Sequence, residues 1–198
     1  MFIMNDTREY IIDQSFSLFM SRSYEAVSIS DISKAIGFTK GALYHHFTSK
    51  EELFKAVIDK HFDISEVVVD ENTVTLHEFG EKCVVHAQKT LRKLFSYSTD
   101  FSPIDYMSLI TDSFRHYPGF AEKKIQIMTS EVDKIKRILD RAIAVGEIRA
   151  DIDTAIIAQS YFSSMIGLAA PIIKNSSLEV AIDLLKGQFS QMYNLLKV

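Results

Sequence analysis

Residues 28–53 read SISDISKAIGFTKGALYHHFTSKEEL, and the punctuation of this stretch decides how the chain folds. Ser28 with Asp31 three positions on is the pattern of a helix N-cap, the acidic side chain covering free amides of the first turn. The helix so opened is short, because Gly37 is a natural helix-ending residue. Thr39 caps a third helix two residues later, Lys40 to about His46, and Ser49-Lys50-Glu51-Glu52 reads as a further capping box that opens a fourth. Two short helices joined by a glycine-containing turn form a helix-turn-helix.

Working outward, Ile12, Phe16 and Phe19 recur at spacings of four and three, which predicts an amphipathic first helix over about residues 6–21. Toward the C-terminus, apolar residues at helical spacing predict long helices over 76–97, 104–117, 120–145, 154–173 and 178–196. Pro103, Pro118-Gly119, Gly146 and Asn175-Ser176-Ser177 supply the breaks. No strict alternation longer than a few residues competes with these helices, and the short run Val67-Val68-Val69 is the one strand-like piece. The expected fold class is all-α: an N-terminal three-helix domain, residues 1–48, followed by a larger helical domain, 49–198, with helix four (50–66) linking the two.

The chain has 198 residues, 47% of them hydrophobic and 24% charged, with 7 Gly and 3 Pro, which excludes collagen-like, disordered and disulfide-framework classes. Cys83 is the only cysteine, so no internal disulfide forms, and a reducing compartment, the cytoplasm, is expected. No run approaches the roughly 18 consecutive apolar residues of a membrane span, and the N-terminus lacks the pattern of a signal peptide. The formal net charge is -4. Residues 1–61 carry seven Lys or Arg against eight Asp or Glu, so any contact with a polyanion must come from local arrangement and not from bulk attraction.

Residues 8–61 resemble the N-terminal DNA-binding domain of the TetR family of transcriptional regulators. The likeness is carried by Phe19 before a turn, Tyr24, Ser28, Asp31-Ile32-Ser33 with Ala35-Ile36-Gly37, and above all Gly37-Phe-Thr-Lys-Gly-Ala-Leu-Tyr-His-His-Phe47 with Ser49-Lys50-Glu51-Glu52-Leu53. The resemblance implies that Tyr44 and Lys50 hold the DNA backbone, while Ser30, Lys40, Gly41, Ala42 and His45 face bases. The residues themselves agree with this. A reading helix must be short, exposed and able to approach the floor of a major groove, and Gly41 and Ala42 trim its outer face. Leu43 and Phe47, four apart, anchor it inward and leave Tyr44 outward. Ser28 and Thr39 offer hydroxyls beside helix ends, and His46 a further donor, for phosphate. His45 and His46 diverge by about 100° on the helix, so no shared metal is expected there.

The resemblance further implies a homodimer built through the last two helices, a palindromic double-stranded operator and a small-molecule effector that releases it. The final helix carries Ile182, Leu185, Phe189, Met192 and Leu196 at helical spacing, either for a two-fold mate or for the chain's own core. Candidates to line an effector cavity are Phe79, Cys83, His86, Met107, Ile110, Phe114, Met128, Tyr161 and Met165, a set that suits an apolar or aromatic effector. Cys83 and His86 are the one pairing suggestive of nucleophile and base. Glycine-rich phosphate loops, metal-ligand clusters and nucleophile elbows are missing, so neither catalysis nor a cofactor is expected. An activator, or a regulator controlled by a protein partner, is the alternative on the same fold.

Overall fold

The computed structural model describes residues 2–62, 66–95, 103–168 and 177–198. Over these the helices are α1 (Phe2–Ser21), α2 (Ile29–Ile36), α3 (Lys40–His46), α4 (Lys50–His61), α5 (Leu76–Phe95), α6 (Pro103–His116), α7 (Phe120–Ala144), α8 (Thr154–Ile166) and α9 (Leu178–Leu196). Among the described residues the one β feature is an isolated antiparallel bridge between Ile148 and Lys197. The chain is all-α. None of the described helices is long and apolar enough to cross a membrane.

The caps explain the boundaries. The Ser28 hydroxyl accepts the Asp31 N–H at 3.1 Å while the Asp31 carboxylate accepts the Ser28 N–H at 2.9 Å, so two amides at the start of α2 are satisfied reciprocally. Gly37 ends α2 at φ 73°, a conformation that costs a side chain and not glycine. Thr39 Oγ1 accepts the Ala42 N–H at 3.1 Å and opens α3. The box at α4 is shifted by one residue: Ser49 accepts the Glu52 N–H at 3.0 Å, but the Glu52 carboxylate reaches past it to the Thr48 N–H at 2.7 Å and the Thr48 hydroxyl at 2.6 Å.

Two compact units result. The first comprises residues 1–64 and 96–122, the second 65–95 and 123–198. The boundary expected from the sequence lies after residue 48, with helix four as the link. Helix α4 puts Leu53, Phe54, Val57 and Ile58 into the same core as Ile12, Phe16, Phe19, Ile32, Leu43 and Phe47, and Leu109 of α6, Tyr117 just beyond it and Phe120 at the start of α7 complete it. A helix that buries four large apolar side chains in the headpiece belongs to the headpiece, because each fully buried one contributes roughly 1.5–3 kcal/mol.

In the second unit, Phe79 and Cys83 of α5, Ile135, Ile138 and Leu139 of α7, Tyr161 of α8, and Leu185 and Phe189 of α9 form the core. A Cβ built on Gly80 would lie 3.6 Å from Phe189, so α5 and α9 pack closely there. The Glu147 carboxylate accepts the Leu76 and His77 N–H groups at 3.1 and 3.3 Å and so caps α5 from a distant turn. The segment before α5 is tied to one face of α7: Lys134 Nζ donates to the Val67 carbonyl at 3.1 Å, Arg137 to Glu71 at 2.6 and 3.0 Å, and Arg141 to the Val74 carbonyl at 2.9 Å.

One expectation about the last helices changes. Helix α8 ends at Ile166, immediately before Gly167, and not near 173; residues 169–176 lie outside the described ones. Of the stripe on the last helix, Leu185, Phe189 and Leu196 are buried in the second unit's own core, Met192 packs against it partly covered, and Ile182 is buried as well.

Candidate nucleic-acid interface

The core fixes which side of α3 faces out. Leu43 and Phe47 are fully buried, as the four-residue spacing requires, and this rotates Thr39, Lys40, Gly41, Ala42, Tyr44 and His45 to the surface. Tyr44 is 50% exposed, and its hydroxyl makes no hydrogen bond among the described residues. Ser28 is exposed at the start of α2; Ser30 and His46 are partly covered. Ser28 and Thr39 both accept a cap amide, and the Ser28 hydroxyl in turn donates to the Asp31 carboxylate.

Gly41 is the informative position. It lies inside α3 with ordinary helical backbone, and a Cβ added there would meet only Thr39 Oγ1, at 3.9 Å. Neither a turn nor an internal neighbour asks for glycine. A helix-interior glycine costs about 1 kcal/mol relative to alanine, and no contact within the chain offsets that cost here.

Lys50 is where sequence reasoning was incomplete. Its Nζ donates to the Tyr24 carbonyl at 3.0 Å and the Val27 carbonyl at 3.1 Å and sits 3.9 Å from the centroid of the Tyr24 ring. The ammonium is thus held in place by the turn between α1 and α2. Tyr24 itself donates its N–H to the Asp112 carboxylate at 2.7 Å. No local spacing announces either contact, because the partners lie 26 and 88 residues apart.

The nine candidate pocket residues do not share one environment. On α6, Leu109, Asp112 and Ser113 turn into the first unit, which leaves Met107 44% and Phe114 53% exposed and Ile110 partly covered. In the second unit Phe79, Cys83 and Tyr161 are closed core, His86 and Met165 are partly covered, and Met128 is 40% exposed. That unit has an open groove of about 800 Å³ between the 67–74 segment and α5, and of the nine only His86 lines it. Val67, Val68, Val74, Lys82, Val85 and Lys89 supply its walls, with Asp70, Glu78 and Glu81.

Cys83 and His86 are not assembled as nucleophile and base. Burial, and then the nearby Glu131, push the Cys83 thiol up to about 12, which keeps it neutral. The His86 Nε2 lies 3.5 Å from the Thr90 hydroxyl. Among the described residues no group of three or more His, Cys, Asp or Glu side chains is arranged to hold a metal.

Comparison with known proteins bears on the same stretch. The profile of bacterial regulatory proteins, tetR family, matches residues 11–57. The HTH-type transcriptional regulator YwcC of Bacillus subtilis is 43% identical over 54 residues, 27% of this chain and 24% of that protein, so this likeness spans only about a quarter of the relative. AcrR of Shigella flexneri, another HTH-type transcriptional regulator, is 22% identical over 81% of this chain and 76% of its own length. Among solved structures, NalD, described as the secondary repressor of the MexAB-OprM multidrug efflux pump in Pseudomonas aeruginosa, superposes with a TM-score of 0.66 at 15% identity, covering 100% of this chain and 98% of NalD. Residues 11–57 are thus similar to the tetR family of bacterial regulatory proteins, and the helical fold is one that NalD shares along its length.

Proposed function

We propose that the chain is a DNA-binding transcriptional regulator whose α3 enters the major groove of a palindromic operator and whose output is repression, relieved by a small apolar or aromatic effector. The observation that carries this reading is Gly41: an exposed helix position trimmed to hydrogen with no internal reason, in a surface that also presents Lys40, Ala42, Tyr44 and His45. Thr39, Ser28, Ser30, His46 and Lys50 complete the contact set, the hydroxyls, His46 and Lys50 toward phosphates and Ser30 toward a base edge. YwcC and AcrR are named as transcriptional regulators and NalD as a repressor, and we carry that role over to this chain.

Paired half-sites need a dimer. We assign its interface to the outer faces of α8 and α9, where Ile156 (63%), Ile166 (59%), Val180, Leu184 and Leu195 (73%) are exposed. Gly187, between them on α9, has no atom within 4 Å of a Cβ position and would let a second copy approach. Two headpieces about 34–36 Å apart then match one turn of duplex. An effector that binds the mismatched spacing 5–150-fold more tightly supplies about 1–3 kcal/mol of coupling, enough for release. The open, mixed-charge groove beside α5 favours a second reading, in which a protein partner takes the effector's part.

Selection from a random duplex library, followed by anisotropy titration of the enriched duplex and light scattering of the complex, tests the proposal. Enrichment of a two-fold-symmetric sequence bound by one dimer is expected. No enrichment over several rounds would overturn it.

A further inference from the structure

Asp112 is a buried carboxylate that no part of the DNA-contact surface uses. It sits on α6 at 6% exposure and accepts one main-chain N–H, that of Tyr24, at 2.7 Å. Burying a carboxylate is costly unless its hydrogen bonds do something an apolar side chain could not. What it fixes is the peptide of Tyr24, in the turn between α1 and α2.

Tyr24 passes that constraint on. Its carbonyl accepts Lys50 Nζ at 3.0 Å, and its ring lies 3.9 Å from the same ammonium. One turn beyond Asp112, His116 stacks on the Tyr24 ring, centroids 4.2 Å apart and planes 17° apart, with Nε2 3.4 Å from the Glu25 carboxylate. One residue of a turn is therefore held by α6 through its N–H and ring, and itself holds the ammonium at the start of α4. Lys50 spends two of its three N–H donors on the Tyr24 and Val27 carbonyls, which aims the third.

We infer that Asp112 is a positioning residue for DNA binding: through Tyr24 it sets the Lys50 ammonium against an operator phosphate, so that a shift of α6 is felt at that contact. This rests on the operator-binding reading above, in which Lys50 meets the DNA backbone. It makes Tyr24 the relay between a helix that touches no DNA and one that grips its backbone.

The test is a double-mutant cycle on the enriched duplex, with salt dependence measured for each protein. Asp112→Ala is expected to weaken binding about tenfold in the wild-type background, as for loss of one charge-assisted contact, and less than about twofold in the Lys50→Ala background. Both single variants should flatten the salt slope by about one unit. Asp112→Asn, whose amide oxygen still accepts the Tyr24 N–H, should stay within about threefold of wild type. Should Asp112→Ala fail to fold, His116→Ala, which removes only the stack, goes through the same cycle, and its smaller loss is expected to vanish in the Lys50→Ala background. Equal losses in both backgrounds, or an unchanged salt slope, would overturn the inference and leave the operator reading standing. Wild-type protein that binds no duplex would instead sink that reading, and the inference with it.

Discussion

Gly41→Leu separates fold from function more sharply than any other substitution. In the free protein the new side chain would point into open space, since the position has no neighbour nearer than 3.9 Å. Replacing a helix-interior glycine with a good helix former gains about 0.5–1 kcal/mol, which for a chain of 198 residues raises the midpoint of thermal unfolding by about 2 °C. On DNA the same side chain stands between α3 and the groove floor. Holding the helix back forfeits base-edge pairs worth about 1–3 kcal/mol each, so operator affinity should fall about 10- to 100-fold. Differential scanning calorimetry and anisotropy on one preparation read both effects. A variant that is more stable and binds the selected duplex within about twofold of wild type would refute the reasoning, because α3 would then have no close surface to meet.

Other perturbations follow from single contacts. Tyr44→Phe removes a hydroxyl that the protein itself does not use, so thermal stability should stay unchanged while operator binding weakens several-fold, as expected for loss of one phosphate contact. Lys50→Ala should do both, lowering stability by about 1 kcal/mol because two carbonyls lose their donor, and flattening the salt dependence of binding; a stability loss with an unaltered salt slope would count against its phosphate role. Cys83 in native protein should resist iodoacetamide at pH 8, because its neutral thiol is both buried and pushed up to about 12; stoichiometric labelling at the rate of the unfolded chain would contradict the packing. Hydrogen bonds from Ser28 to Asp31 and from Thr48 to Glu52 hold both carboxyls below their ordinary values. A lowered folded-state pKa contributes stability that is complete above the ordinary value near 4 and lost as pH falls through the folded one. Amide exchange in α2 and α4 should therefore be insensitive to these groups from pH 8 to 5 and accelerate, relative to intrinsic rates, only below about pH 4; a step near pH 6 would contradict this.

What the sequence made legible is what local chemistry determines. Ser28 with Asp31, Gly37 and Thr39 mark the ends of α2 and the start of α3 because capping involves residues three or four apart, and the structure shows those bonds. Leu43 and Phe47 gave the inward face of α3 by the same short-range logic, and with it the outward face. Periodicity falls silent on what covers an apolar face. Ile182, Leu185, Phe189 and Leu196 form a clear stripe, yet only the packing against α5 reveals that their own chain uses it. Met107 and Phe114 are apolar and half exposed because α6 spends its other face, Leu109 and Asp112, on the first unit. The assignment of α6 to the headpiece depends on contacts such as Tyr24 with Asp112, across 88 residues, for which the sequence carries no spacing signal.

The relation of Asp112 to Lys50 also changes how the headpiece is understood. A three-helix reader carried on a separate linker would have to be moved as a rigid body. Here the fourth helix shares the reader's core, and a turn residue joins α6 to the ammonium at its start. On the proposed reading, control of operator binding acts on one phosphate contact as well as on the spacing of two headpieces.

The most direct measurement of whether α3 reads the wide groove is methylation interference on the selected duplex. Guanine N7 lies in the major groove and adenine N3 in the minor groove, so one reagent interrogates both. Methylated guanines at symmetric positions in the two half-sites, one helical turn apart, should block binding, while methylated adenines beneath α3 should not. Blocking at adenine N3 alone, or at neither base, would contradict the account.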